Sequence, residues 1–165
     1  MTPTFNHILV PTDFSSGSRL ALDYALQLAQ RLNASVHVVH VTEDPAVAGM
    51  WTEAYVDLAQ VRKDRRCGAR HLMNKLLGEI GPGSITDEIA SGPVARTITD
   101  AAADRGASLI VMGTHGRTGL AHALVGSVAE QVMRLAGCPV LTVREGIAAN
   151  PGFATAQPTG VPASA

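Results

Sequence analysis

A chain of 165 residues is one domain of ordinary size, long enough to bury a real core. Hydrophobic residues make up 46% and charged ones 16%, and 13 basic side chains against 14 acidic ones leave a formal net charge of -1. That balance excludes bulk attraction to nucleic acid or an anionic membrane, so any phosphate site has to be local.

No stretch approaches the roughly 20 apolar residues of a membrane span. Pro11 interrupts Ile8-Leu9-Val10, so the start lacks the pattern of a secretory signal. Cys67 and Cys138 lie far apart, and neither has a second cysteine at metal-ligand spacing. Both are read as packing residues in a reducing compartment, and a soluble cytoplasmic protein is the expectation.

In chain order, residues 7–11 read as a short buried strand, followed by a polar turn, Thr12 to Ser16, that can cap a helix. Leu20, Ala21, Tyr24, Ala25, Leu28, Ala29 and Leu32 then mark one helical stripe ending near Asn33. Asp13 falls at the carboxyl end of the first strand, where open α/β sheets bind ligands. It can accept hydrogen bonds from ribose hydroxyls, help hold a metal, or simply favour the helix dipole as a first-turn carboxylate.

Residues 35–41, rich in β-branched side chains, form the second strand. His37 and His40 fall on opposite faces of it and are read as structural histidines that cannot share a metal. A loop over 42–49 leads to a mostly helical stretch over 51–77, in which Gly68 marks a bend and residues 62–66, Arg-Lys-Asp-Arg-Arg, form a contact patch or a solvated face. Residues 78–84 break the helix. Residues 85–90, with Asp87 and Glu88, suit an edge strand. Ser91-Gly92-Pro93 opens a helix that closes near Gly106.

Residues 108–112 are an unbroken apolar run of the kind buried on both faces of a sheet. Gly113, Gly116 and Gly119 follow, then Gly126-Ser127 at the start of a helix carrying Val128, Val132 and Leu135. Glycine permits positive φ and close backbone approach, and a helix N-terminus offers unpaired donors and partial positive charge. That combination suits a phosphate; read alone, it is also an ordinary turn with Ser127 as a cap. Residues 139–143 form a fifth strand. The order βαβαβαβαβ implies parallel pairing with right-handed crossovers, hence a three-layer α/β/α sandwich.

The spacing Gly113-x2-Gly116-x9-Gly126-Ser127, set between a strand and a helix, resembles the nucleotide-binding motif of the universal stress protein family in its ATP-binding branch. The likeness covers residues 6 to 144. It begins with Ile8-Leu9-Val10-Pro11-Thr12-Asp13-Phe14-Ser15, continues with Val41, and is strongest at Met112-Gly113-Thr114-His115-Gly116 and Gly126-Ser127-Val128. It implies a Rossmann-like, five-stranded parallel sheet of the adenine nucleotide alpha hydrolase-like kind, in the order 3-2-1-4-5.

The resemblance also implies one site for ATP, ADP or AMP. Pro11, Thr12 and Asp13 would stand at its first strand end, with Asp13 on the ribose or adenine and able to act through Mg2+. Val41 would contact the base. Met112, Gly113, His115, Gly116 and Arg117, with Gly126, Ser127 and Val128, would hold ribose and phosphates. His115 and Arg117 are the loop's cationic candidates, for phosphate or for solvent. A homodimer through Val140, Leu141, Thr142 and Val143 is expected, because that strand would otherwise expose a pairing edge.

The expected function is a dimeric stress-response or signalling module that binds the nucleotide and answers to a protein partner. An ATP hydrolase or nucleotidyl-transfer enzyme is the alternative. It lacks the Gly-Lys-[Ser/Thr] of a Walker loop, since Val128 follows Gly126-Ser127, and no catalytic residue is assigned. A ligand-free scaffold is the third reading, against which the intact glycine motif stands.

Residues 1–145 are expected to form the domain and residues 146–165, Ala-, Pro-, Gly- and Thr-rich, a disordered tail. Deleting residues 146–165 should leave the melting temperature and nucleotide affinity unchanged; a truncated protein that precipitates or loses affinity contradicts this.

Overall fold

Nine elements alternate strictly between strand and helix in the computed structural model, which describes residues 4–43, 57–81, 85–114 and 125–144. They are β1 (His7–Pro11), α1 (Ser16–Leu32), β2 (Ser35–Thr42), α2 (Leu58–Ile80), β3 (Ile85–Ser91), α3 (Val94–Asp104), β4 (Leu109–Gly113), α4 (Ser127–Leu135) and β5 (Val140–Val143). The sheet is parallel throughout, in the order β3-β2-β1-β4-β5. Ile8 pairs with Val36 on one side and Leu109 on the other.

Side chains alternate along each strand, so the central strands feed two separate cores. Ile8, Val10, Val36, Val38 and Val111 pack under α1 and α2 against Ala21, Leu22, Ala25, Ala69, Met73 and Leu76. Leu9, Val39, Ile110 and Met112 pack under α3 and α4 against Ala95, Ile98, Ala102, Ala129 and Val132. This is the three-layer sandwich expected, with the expected strand order.

Several local expectations give way. The buried stripe of α1 runs through Gly17, Ser18, Ala21, Leu22, Ala25 and Ala29, while Leu32 is 44% exposed. The stripe is rotated because small residues let α1 lie close on the sheet, and the last turn overhangs its edge of contact. α2 continues past Gly78, where a break is expected to begin, to Ile80, stopping at Gly81, whose φ of 83° is left-handed. In α4 the cap position is Gly126, with no side-chain cap, and Ser127 is already helical. There Ala129 and Val132 are buried, and Val128 and Leu135 are exposed. Cys67 is exposed on α2 and so is no packing residue; Cys138 is half-buried, and burial pushes its thiol pKa up. The expected loop beyond residue 43, helix residues 51–56 and tail 146–165 lie outside the described residues.

The outer strand β3 carries its acidic residues as expected of an edge, and both are paired. Asp87 meets Arg70 of α2, and Glu88 meets Arg105 at the end of α3. His37 of β2 is buried beside them, its Nδ1 2.7 Å from the Thr86 hydroxyl and its Nε2 3.5 Å from the Glu88 carboxylate, too far for a good hydrogen bond.

Burial, reinforced by the Arg105 guanidinium and opposed by Glu88 and Asp87, holds the His37 pKa below its ordinary 6.5. The unfolded chain therefore takes up a proton near pH 6.5 that the native chain resists. The stability that neutral His37 confers is full above that pH and is lost as pH falls below it. Urea denaturation at pH 7.5 and pH 5.5 should show a larger acid loss in wild type than in His37→Gln; equal losses contradict the account.

Candidate functional site

The chain leaves β1 for β2 and β3 on one side and returns to β4 on the other, so connections diverge at the carboxyl ends of β1 and β4. A crevice has to open there, because the two chain connections turn away to opposite faces of the sheet. The structure has a cleft of about 660 Å³ at this point, within the size range of small-molecule sites.

Its floor is the turn after β1. The Thr12 N–H donates to Val39 O (2.8 Å), which carries the pairing of β1 with β2 one residue beyond the strand. The buried Thr12 hydroxyl accepts from Phe14 N–H (3.1 Å) and lies 3.1 Å from the Ser18 hydroxyl. Asp13 Oδ1 accepts from both the backbone N–H (3.0 Å) and the hydroxyl (2.5 Å) of Ser15. Ser15 in turn caps α1 by accepting from Ser18 N–H. Phe14 sits at φ 66°, a conformation unusual for a side chain of its size. Two contacts over-determine it: the Thr12 bond, and the ring of His40, whose centroid is 4.5 Å away at 33°. His40 is itself fixed by donating from Nδ1 to Thr12 O (2.7 Å).

The far side of the cleft is built by β4 and α4. Thr114 N–H donates to Val143 O (3.0 Å), and Gly126 N–H donates to Thr114 O (2.7 Å). That second bond draws together the two ends of the glycine loop and aims the start of α4 at β1. Ser127, Val128 and Ala129, the first three residues of α4, all border the cleft, and N–H groups at this position have no partner within a helix. Gly126 has φ -70°, and neither it nor Gly113 is among the positive-φ glycines of the described residues. Close approach, not left-handed backbone, is what glycine offers at these two positions.

All described members of the expected set therefore meet in one place: Pro11, Thr12 and Asp13, Val41, Met112 and Gly113, and Gly126, Ser127 and Val128 border the same cleft. His115, Gly116 and Arg117 lie outside the described residues. Sequence reasoning missed the lining that the helices on the two faces of the sheet provide: Arg65, Gly68, Ala69 and Leu72 of α2 on one face, and Val94 and Ile98 of α3 on the other. The spacing 65/68/69/72 is one face of a helix, but read alone it is indistinguishable from a face packed on the core. His40, a structural histidine by its place in the sequence, is held by structural bonds and also borders the cleft.

An open, doubly wound parallel sheet with a crevice at its switch point places the chain among the Rossmann-like α/β proteins. The model of the universal stress protein family matches residues 4–144. Universal stress protein MJ0531 of Methanocaldococcus jannaschii is 35% identical over 142 residues, covering 86% of this chain and 83% of that protein. The structure of MJ0577, a universal stress protein of the same organism, matches with a TM-score of 0.74 at 27% identity, covering 88% of this chain and 99% of that one. More distant structures share the fold. A universal stress protein in complex with cAMP has a TM-score of 0.56 at 23% identity, covering 85% of this chain and 97% of that one. One from Archaeoglobus fulgidus in complex with dAMP has 0.52 at 22%, covering 84% and 98%. The chain belongs to the universal stress protein family.

The Thr12 hydroxyl ties the turn together, so removing it at constant volume should loosen the floor of the cleft. Thr12→Val leaves the Phe14 N–H without its acceptor and should cost about 1–3 kcal/mol, whereas Thr12→Ser keeps the hydroxyl. Chemical denaturation of the two variants checks this, and a Thr12→Val protein as stable as wild type contradicts it.

Proposed function

We propose that the cleft binds ATP or a related adenine nucleotide, and that the chain works as a dimeric stress-response or signalling module whose bound state a protein partner reads. The observation that carries this reading is the convergence of three strand ends and the N-terminus of α4 on one cleft of nucleotide size. Distant members of the fold hold cAMP and dAMP; for this chain the case rests on its own cleft.

In this reading the N–H groups at the start of α4 and the glycine loop take the phosphates, with the helix dipole adding to them. Asp13 faces the nucleoside, its position set by Ser15. Among the described residues Arg65 is the cationic lysine or arginine side chain that borders the cleft, and it donates to Glu43 O on the α2 side, so backbone donors at α4 are expected to lead phosphate binding, and turnover is expected to be slow. Mg2+ would be held mainly by the phosphates, with Asp13 supplying one carboxylate. Among the described residues no group of three His, Cys, Asp or Glu side chains could hold a metal without them.

The dimer is proposed through β5. It is one of the two outer strands of the sheet, Val140-Leu141-Thr142-Val143 is apolar apart from one threonine, and Leu141 is 39% exposed. No helix of the described residues is long and apolar enough to cross a membrane.

Calorimetric titration with ATP and AMP tests the binding claim. Gly126→Val should abolish phosphate-dependent affinity, Ser127→Ala should cost on the order of 1 kcal/mol, and Asp13→Ala should weaken both nucleotides alike. Wild type that binds neither nucleotide, or Gly126→Val binding ATP as tightly as wild type, overturns it. Hydrolysis at many turnovers per second would replace it with the enzyme reading.

A further inference from the structure

We propose that Gly68 is kept without a side chain to admit the nucleoside, so that this one position of α2 sets the width of the cleft at its β2 end. The inference rests on the adenine-nucleotide reading and goes beyond it, because it assigns a specificity-determining residue to a wall of the cleft that the family motif does not include.

Gly68 lies in the interior of a continuous helix, where glycine is the poorest choice after proline. The described residues give no packing reason for it. A Cβ built there meets none of their atoms within 4 Å, and its φ is not left-handed. Yet Gly68 belongs to the helix face formed with Arg65, Ala69 and Leu72, and that whole face borders the cleft. The open space in front of it is therefore the cleft itself. Arg65, one turn earlier, donates from Nη1 to Glu43 O (3.2 Å) just past β2, which places this part of α2 over the β2 end of the cleft. Leu72, one turn later, is 40% exposed and presents an apolar surface suited to a base.

The same helix carries its own control. Gly78 is also exposed and also free of neighbours among the described residues, but it does not border the cleft. Gly68→Leu and Gly78→Leu, each in the full chain, are compared by thermal melting and by calorimetric titration with AMP and with ATP. Both should raise Tm by about 2–4 °C, as helix propensity dictates. Gly78→Leu should bind as wild type does. Gly68→Leu should lose at least about tenfold in affinity, by the same factor for AMP as for ATP, because the obstruction is at the nucleoside.

Gly68→Leu binding within about twofold of wild type, or losing ATP while keeping AMP, overturns the inference and leaves the adenine-nucleotide reading standing. A fall in Tm for Gly68→Leu also overturns it, since the space would then be closed by the protein and not left for a ligand. Wild type that binds neither AMP nor ATP overturns the reading first and the inference with it.

Discussion

The pairing of β1 between β2 and β4 is the constraint on which the cleft depends. Two parallel neighbours bury β1 on both sides, and its residues Ile8, Leu9 and Val10 are almost wholly buried. The chain can reach those neighbours only by crossovers that leave in opposite directions. A crevice at the carboxyl ends of β1 and β4 follows from topology alone, before any side chain is chosen. What the side chains add is its shape. The Thr12 and Asp13 hydrogen bonds tie the floor down, and the bond from Gly126 N–H to Thr114 O brings the start of α4 over it.

Charge supports the same arrangement. With a net charge of -1, the chain has no general field to attract an anion. A polyanion would have to be met by local donors, and a helix N-terminus is the source the fold supplies at the cleft. Small residues matter there for distance, since backbone N–H groups reach a ligand only where no Cβ intervenes. The extended φ of Gly126 is consistent with that use, because any residue could adopt it.

The fold was legible in the sequence because buried parallel strands have to be apolar over four or five consecutive residues, and intervening helices have to be amphipathic. Where small residues dominate, the signal weakens: α1 packs on Ala21, Ala25 and Ala29, so the large residues Leu20 and Leu32 mark its buried face poorly and Leu22 lies on it instead. At the candidate site, the strand ends and the glycine loop were legible because their spacing is distinctive. The α2 wall was not. Arg65, Gly68 and Leu72 border the cleft only because α2 crosses the ends of β2 at that height, a tertiary fact with no local signature. His40 was hidden for a related reason, since its partners Thr12 and Phe14 come from another strand end.

Amide chemical-shift mapping of the full chain during titration with ATP tests the central claim most directly. The account predicts perturbations concentrated at Thr12 and Asp13, at Val41 and at Ser127 to Ala129, with β3 and the outer face of α1 unmoved. Saturable shifts confined to another surface, or no shifts at millimolar ATP, would contradict it.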